Sequence, residues 1–105
     1  MTGPAALAFA GALLAAQAAQ AGGVSAGRAA ELEQLVRQDC GACHGMTLKG
    51  GLGPAINAQR LAGADPEALA QIILDGVPGT PMPPWRPLLS EGDATWIADY
   101  LMHAR

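Results

Sequence analysis

Aromatic side chains are almost missing from this chain: one Phe, one Tyr and two Trp among 105 residues. A small domain with so few large rings has little of its own with which to fill a core, so apolar bulk has to come from elsewhere. Charge is also sparse, at 14% of residues and a net of −3 at pH 7. The charges are scattered and form no runs, which gives nucleic acid or an anionic membrane surface nothing to hold. No segment alternates apolar and polar residues convincingly, so strands are not expected. Cysteine occurs only twice, which leaves no disulfide within the chain once that pair is used for anything else.

The amino-terminal stretch lacks charge altogether. Ala5 to Ala21 is rich in Ala and Leu and closes on small residues, with Ala16-Gln17-Ala18 and Ala19-Gln20-Ala21 as cleavage sites of the Ala-x-Ala type. Residues 1–21 therefore read as a secretory signal removed from the mature protein. Its start, Met1-Thr2-Gly3-Pro4, departs from the usual signal in having no Lys or Arg. An uncleaved anchor is the competing reading, but Gln17 and Gln20 interrupt the apolar run, which is short for a span. Residues 22–27 read as a flexible leader and 28–105 as one domain, with no internal repeat.

Both cysteines lie in Cys40-Gly41-Ala42-Cys43-His44. Two thiols at this spacing can add across the two vinyl groups of one porphyrin, and the following histidine is then placed to bind iron. Half a zinc site and a redox dithiol are the alternatives. A zinc site needs more ligands, and His103, near the carboxyl end, is the only other strong candidate. A redox dithiol belongs beside a βαβ pattern, and none is visible. One covalent c-type haem, held through Cys40 and Cys43 with His44 as proximal ligand, is the expectation. Such haem is attached outside the cytoplasm, which agrees with a signal peptide and a periplasmic location. It would also supply the missing apolar bulk.

Ala29, Leu32, Leu35 and Val36 recur at helical spacing and predict a first helix that delivers the chain to Cys40. Gly45 to Gly63 reads as a long loop, unusual in a compact domain unless it wraps something. Asp65-Pro66 is a helix start, Leu69, Ile72 and Ile73 share a face, and Gly76 is a stop, which predicts a second helix over 66–75. Four prolines between Val77 and Trp85 exclude both helix and central strand. Ser90 and Asp93 resemble a capping box, and Ala94, Ile97 and Leu101 line one face of a third helix over 91–103. The fold class is all-α, with about three helices and long loops around one haem.

A second axial ligand has to lie far enough from His44 to reach the other face of the porphyrin. Met46 is too near, and Met102 and His103 lie on the terminal helix. Met82 sits in the proline-stiffened loop, which would hold a thioether in place at little entropic cost. It is the expected distal ligand, and a His/Met pair gives a relatively high potential. The alternative for Met82 is a core filler. Pro54 either accepts a hydrogen bond from His44 through its carbonyl, fixing the tautomer, or only stiffens its loop. Trp85 either packs on the haem edge or fills core, and Trp96 and Tyr100 read as core. Lys49, Arg60 and Arg86 either form a basic rim or are simply solvated.

Three blocks carry a resemblance to a known family: Cys40 to Pro54, Gly79-Thr80-Pro81-Met82-Pro83-Pro84-Trp85, and Trp96-Ile97-Ala98-Asp99-Tyr100-Leu101. The chain resembles class I monohaem c-type cytochromes, and most closely the small periplasmic cytochromes encoded with the cytochrome cd type of nitrite reductase. That resemblance implies a helical wrap around haem, with the first and last helices crossing near the attachment site. It implies Cys40 and Cys43 as thioether sites, His44 as proximal and Met82 as distal ligand. It further implies a periplasmic electron donor to cytochrome cd nitrite reductase or to the enzyme that matures its tetrapyrrole; the chain is expected to be a monomer and not an enzyme. A haem sensor or enzyme with an open distal face is the remaining class, and no distal His/Arg pair points to it.

Overall fold

The computed structural model describes residues 23–105; the segment read as a signal peptide lies outside them. The described residues contain helices and loops and no strand. Helix α1, Ala26–Leu35, runs through a five-residue π turn, Val36–Cys40, into the short α2, Gly41–His44. Helix α3 spans Pro66–Asp75 and α4 spans Glu91–His103. With α1, the π turn and α2 forming one continuous rod, the helices number three, as the pattern of apolar residues predicts.

Local chemistry explains most of the ends. Ser25 is extended and its side chain accepts the Arg28 N–H at 3.1 Å, so α1 begins at Ala26, inside the stretch read as a flexible leader. Asp65 caps α3 through the Glu67 N–H at 3.1 Å, with Pro66 in the first turn. Gly76, at φ +69°, turns the chain out of that helix. Ser90 and Asp93 make both halves of the expected capping box on α4, each at 3.0 Å.

The π turn has a packing cause. Leu32 and Val36 are fully buried and Cys40 packs partly against the core. Side chains at i, i+4 and i+8 drift round a helix of 3.6 residues per turn, and one wider turn takes out the drift. The Gly41 N–H accordingly donates to Val36 O, five residues back.

The core lies between α3 and α4, which share the most extensive contact in the fold, with α1 crossing α4. Ile73, Leu74, Ile97 and Leu101 supply the bulk, and Ala70, Ala94 and Ala98 allow close approach. Leu48, from the loop after α2, also fills this core; it takes φ +63°, a conformation disfavoured for a leucine and held here by complete burial. Tyr100 joins α1 to α4 as well, accepting from Arg37 at 2.7 Å and stacking on Trp96 with centroids 5.2 Å apart. Both rings are half-buried and pack against the core.

Arg28 on α1 donates to both carboxylate oxygens of Asp93 on α4, at 3.2 and 2.8 Å. The guanidinium first, and the Ser90 contacts after it, outweigh burial and lower the Asp93 pKa from 3.8 to about 2. A depressed carboxylate stabilises the fold above its unfolded pKa, and that stabilisation is lost as pH falls through its folded value. Asp93→Asn is therefore expected to flatten the fall in melting temperature between pH 3.8 and about 2, and Asp93→Ala to cost about 2 kcal/mol at neutral pH by losing cap and pair together. Thermal melts across that pH range check both.

Candidate functional site

The candidate residues fall on two supports. Cys40 ends the π turn, half-buried, and Cys43 and His44 follow on α2, with Cys43 exposed and both thiols free. Before haem is attached, burial, and then the negative charge of Asp39, push the Cys40 thiol from 9.0 up to about 11.

The loop after α2 folds back onto it. Gly50 N–H donates to His44 O at 2.8 Å, and Gly53 N–H donates to Cys43 O at 2.7 Å. This return brings Pro54 O within 2.6 Å of His44 Nδ1. A carbonyl can only accept, so Nδ1 carries the hydrogen and Nε2 keeps its free lone pair. The imidazole is thereby oriented and its unprotonated nitrogen made available, the arrangement typical of a metal-ligating histidine. A methyl at position 53 would lie 2.9 Å from His44 Cε1 and 3.0 Å from Nδ1, so a side chain there would push the imidazole from its place. The sequence reading left Pro54 open between this contact and a loop stiffener, and the contact is present.

Met82 is supported separately, from the end of α3. Val77 N–H donates to Met82 O at 3.2 Å, and the Met82 N–H donates to Thr80 Oγ1 at 3.3 Å. Trp85 N–H donates to Leu74 O at 3.0 Å, and the indole packs half-buried against the core. A methyl at Gly76 would come within 2.7 Å of Met82 O. The loop is thus stiffened by proline and tied to α3 at both ends.

The basic rim is smaller than its three sequence candidates. Arg86 is engaged with Asp75 at 2.9 Å and with Glu91 at 3.8 Å, so it belongs to the α3–α4 junction. Lys49 and Arg60 line one recess together. His103, the residue that a zinc reading would need, holds Asp99 O on its own helix at 2.8 Å. Among the described residues, no three of His, Cys, Asp or Glu gather as a metal cluster. Sequence reasoning missed the Arg28–Asp93 pair, since its members are 65 positions apart.

Residues 27–101 match the protein family described as cytochrome C oxidase, cbb3-type, subunit III. The chain belongs to this cytochrome c family. Its cofactor is therefore a covalently bound haem c, and its role is that of an electron-carrying cytochrome, not an enzyme. It is 60% identical over 90 residues to "Cytochrome c55X" of Paracoccus denitrificans, covering 86% of this chain and 87% of that one. Among solved structures it is similar to "c-type cytochrome NirC", with a TM-score of 0.72 and 51% identity over 74% of this chain and 92% of that one. It is also similar to part of "Dihydro-heme d1 dehydrogenase NirN in complex with DHE", with a TM-score of 0.63 and 36% identity over 70% of this chain and 16% of that one. The donor set of this cytochrome suits haem c: two free thiols three positions apart, an imidazole with Nε2 available, and a thioether on a rigid loop.

Proposed function

We propose that this cytochrome is a periplasmic one-electron carrier in denitrification. Cys40 and Cys43 would form the two thioether links, and His44 and Met82 would hold the iron. When bound, haem c supplies a single-electron couple between ferric and ferrous iron. The protein's own part is to hold both axial donors still, so that little rearrangement accompanies electron transfer, and to set the potential by ligand choice. The observation that carries this reading is the His44 Nδ1 to Pro54 O contact of 2.6 Å, which leaves Nε2 available to hold the iron.

The Met82 loop depends on Gly76. An alanine there faces both φ +69° and backbone atoms that cannot swing aside. Gly76→Ala is expected to cost on the order of 2 kcal/mol or more and to weaken the ferric sulfur-to-iron absorption. Thermal unfolding and the ferric spectrum check this together.

The proposed electron acceptor is cytochrome cd nitrite reductase, on the strength of the similarity to cytochromes c55X and NirC. A specific observation favours a second partner: the 36% identity to part of a dihydro-haem d1 dehydrogenase. Dehydrogenation releases electrons, so a carrier serving such an enzyme would accept them, two turns per substrate, instead of donating them as a maturation accessory. A deletion strain separates the two partners. Reductase that retains its tetrapyrrole but turns nitrite over slowly indicates electron supply. Reductase lacking the finished tetrapyrrole indicates maturation.

Periplasmic location, cleavage of residues 1–21 and a monomeric state belong to this proposal. No helix among the described residues is long and apolar enough to cross a membrane.

A further inference from the structure

Met82 is approached by two limbs of unequal stiffness. On its amino-terminal side the loop contains Gly76 and Gly79, and a side chain at Gly79 would meet nothing within 4 Å, so this limb has room to move. On its carboxyl-terminal side Pro83 and Pro84 follow Met82 directly, and Pro87 follows Arg86. Proline fixes its own φ at about −65°. Of the residues between Met82 and Arg86, only Trp85 keeps a free φ, and its N–H is already bound to Leu74 O at 3.0 Å. A displacement at Arg86 is therefore passed on to Met82 with little loss.

Arg86 itself is tied by main chain and side chain together. Its N–H donates to Leu74 O at 3.0 Å. Its guanidinium donates to Asp75 Oδ1 at 2.9 Å and to Gln71 Oε1 at 3.3 Å, and stands 3.8 Å from Glu91. Gln71 and Asp75 are one turn apart on α3, and Glu91 opens α4. Helix α3 has no basic residue in its last turn, where the negative end of the helix dipole disfavours a carboxylate such as Asp75. Arg86 brings the missing positive charge from outside the helix. All of these partners lie on α3 and α4, so the tie is complete within the polypeptide and does not wait on the cofactor.

We infer that Arg86 is the positioning residue of the Met82 loop. By joining the end of α3 to the start of α4 it fixes the stiff limb, and through Pro83 and Pro84 it sets how firmly the thioether is held against ligands that compete for the iron. An isolated ion pair at this exposure contributes little, but one planar fork shared among Asp75, Gln71 and Glu91 forms a network. The inference rests on the Met82 ligation proposed above, and the test keeps the two separable.

The ferric, haem-loaded protein is titrated with imidazole, which competes with the Met82 thioether and removes the sulfur-to-iron absorption. Arg86→Met is expected to bind imidazole about fivefold more tightly than wild type at low salt. Arg86→Lys should gain less, because it keeps the charge and loses the fork, and the difference between Arg86→Met and wild type should shrink in about 1 M salt. Arg28→Met is the control for general loss of stability. Its pair is the less exposed one, with Asp93 at 10% against 57% for Asp75, so this variant should lower the melting temperature at least as much and leave the imidazole affinity unchanged. Wild-type affinity in Arg86→Met, or an equal gain in Arg28→Met, would overturn the positioning role. If the wild-type protein shows no sulfur-to-iron absorption, the Met82 ligation falls, and hydrogen exchange at the Met82 and Trp85 amides then decides for Arg86. Exchange about fivefold faster in Arg86→Met and not in Arg28→Met upholds Arg86 as the tie of this loop; unchanged exchange overturns it.

Discussion

A chain in which Cys40 and Cys43 are both replaced by alanine is expected to stay colourless and to lose its helical fold. The described residues bury a core of eleven apolar side chains, of which three are alanine. Domains of about 80 residues seldom reach a safe margin on such a core without a staple. The long segments between helices contribute little: of residues 45–64 only Leu48 and Asn57 are buried, and of residues 77–89 only Leu89. Those segments close around the cofactor or around nothing. A ligand bound only by the folded state stabilises it by mass action, and one that is covalently attached cannot dissociate. The double variant, co-expressed with a haem-attachment system, should show no haem absorption and a far-ultraviolet spectrum of unfolded chain. A helical spectrum in the colourless protein would show that the side-chain core suffices.

Met82→Ala is the second large effect. On the proposed ligation, removing the thioether would leave one iron position to water or to nothing. The ferric sulfur-to-iron charge-transfer absorption should vanish, and the potential should fall by about 0.2 V, a fraction of the roughly 0.8 V that axial ligands span. Ferrous iron loses its soft donor, which is why the shift is downward. Stability should change much less than in Gly76→Ala, because the loop's ties to α3 run through the backbone of Val77, Met82 and Trp85 and not through the Met82 side chain. An unchanged ferric spectrum and potential would remove Met82 from the site.

The parts of this fold legible in the sequence are those whose cause lies within a few residues. Asp65-Pro66, Gly76 and the Ser90/Asp93 box each act over one helical turn, and each boundary falls where that chemistry places it. The motif Cys40 to His44 is legible for the same reason. The start of α1 had a local signal too, in Ser25, but the glycines around it suggested a looser leader. What the sequence conceals depends on distant partners. The π turn arises from how Leu32, Val36 and Cys40 meet the core. The positive φ of Leu48 is tolerated because the core buries that side chain. Asp93 reads as a cap, while its second role as partner of Arg28 requires that α1 cross α4. Arg86 looked like part of a basic rim until Asp75 and Glu91 were brought beside it.

The proposed closed electron carrier, in which His44 and Met82 would both hold the iron, is tested most directly by carbon monoxide. The haem-loaded protein is reduced, and its absorption spectrum is followed after exposure to the gas. The proposal that His44 and Met82 both hold the iron predicts an unchanged spectrum. A prompt conversion to a carbonyl spectrum would contradict it, since it would show a distal face open to small ligands and would put a gas-binding role ahead of simple electron transfer.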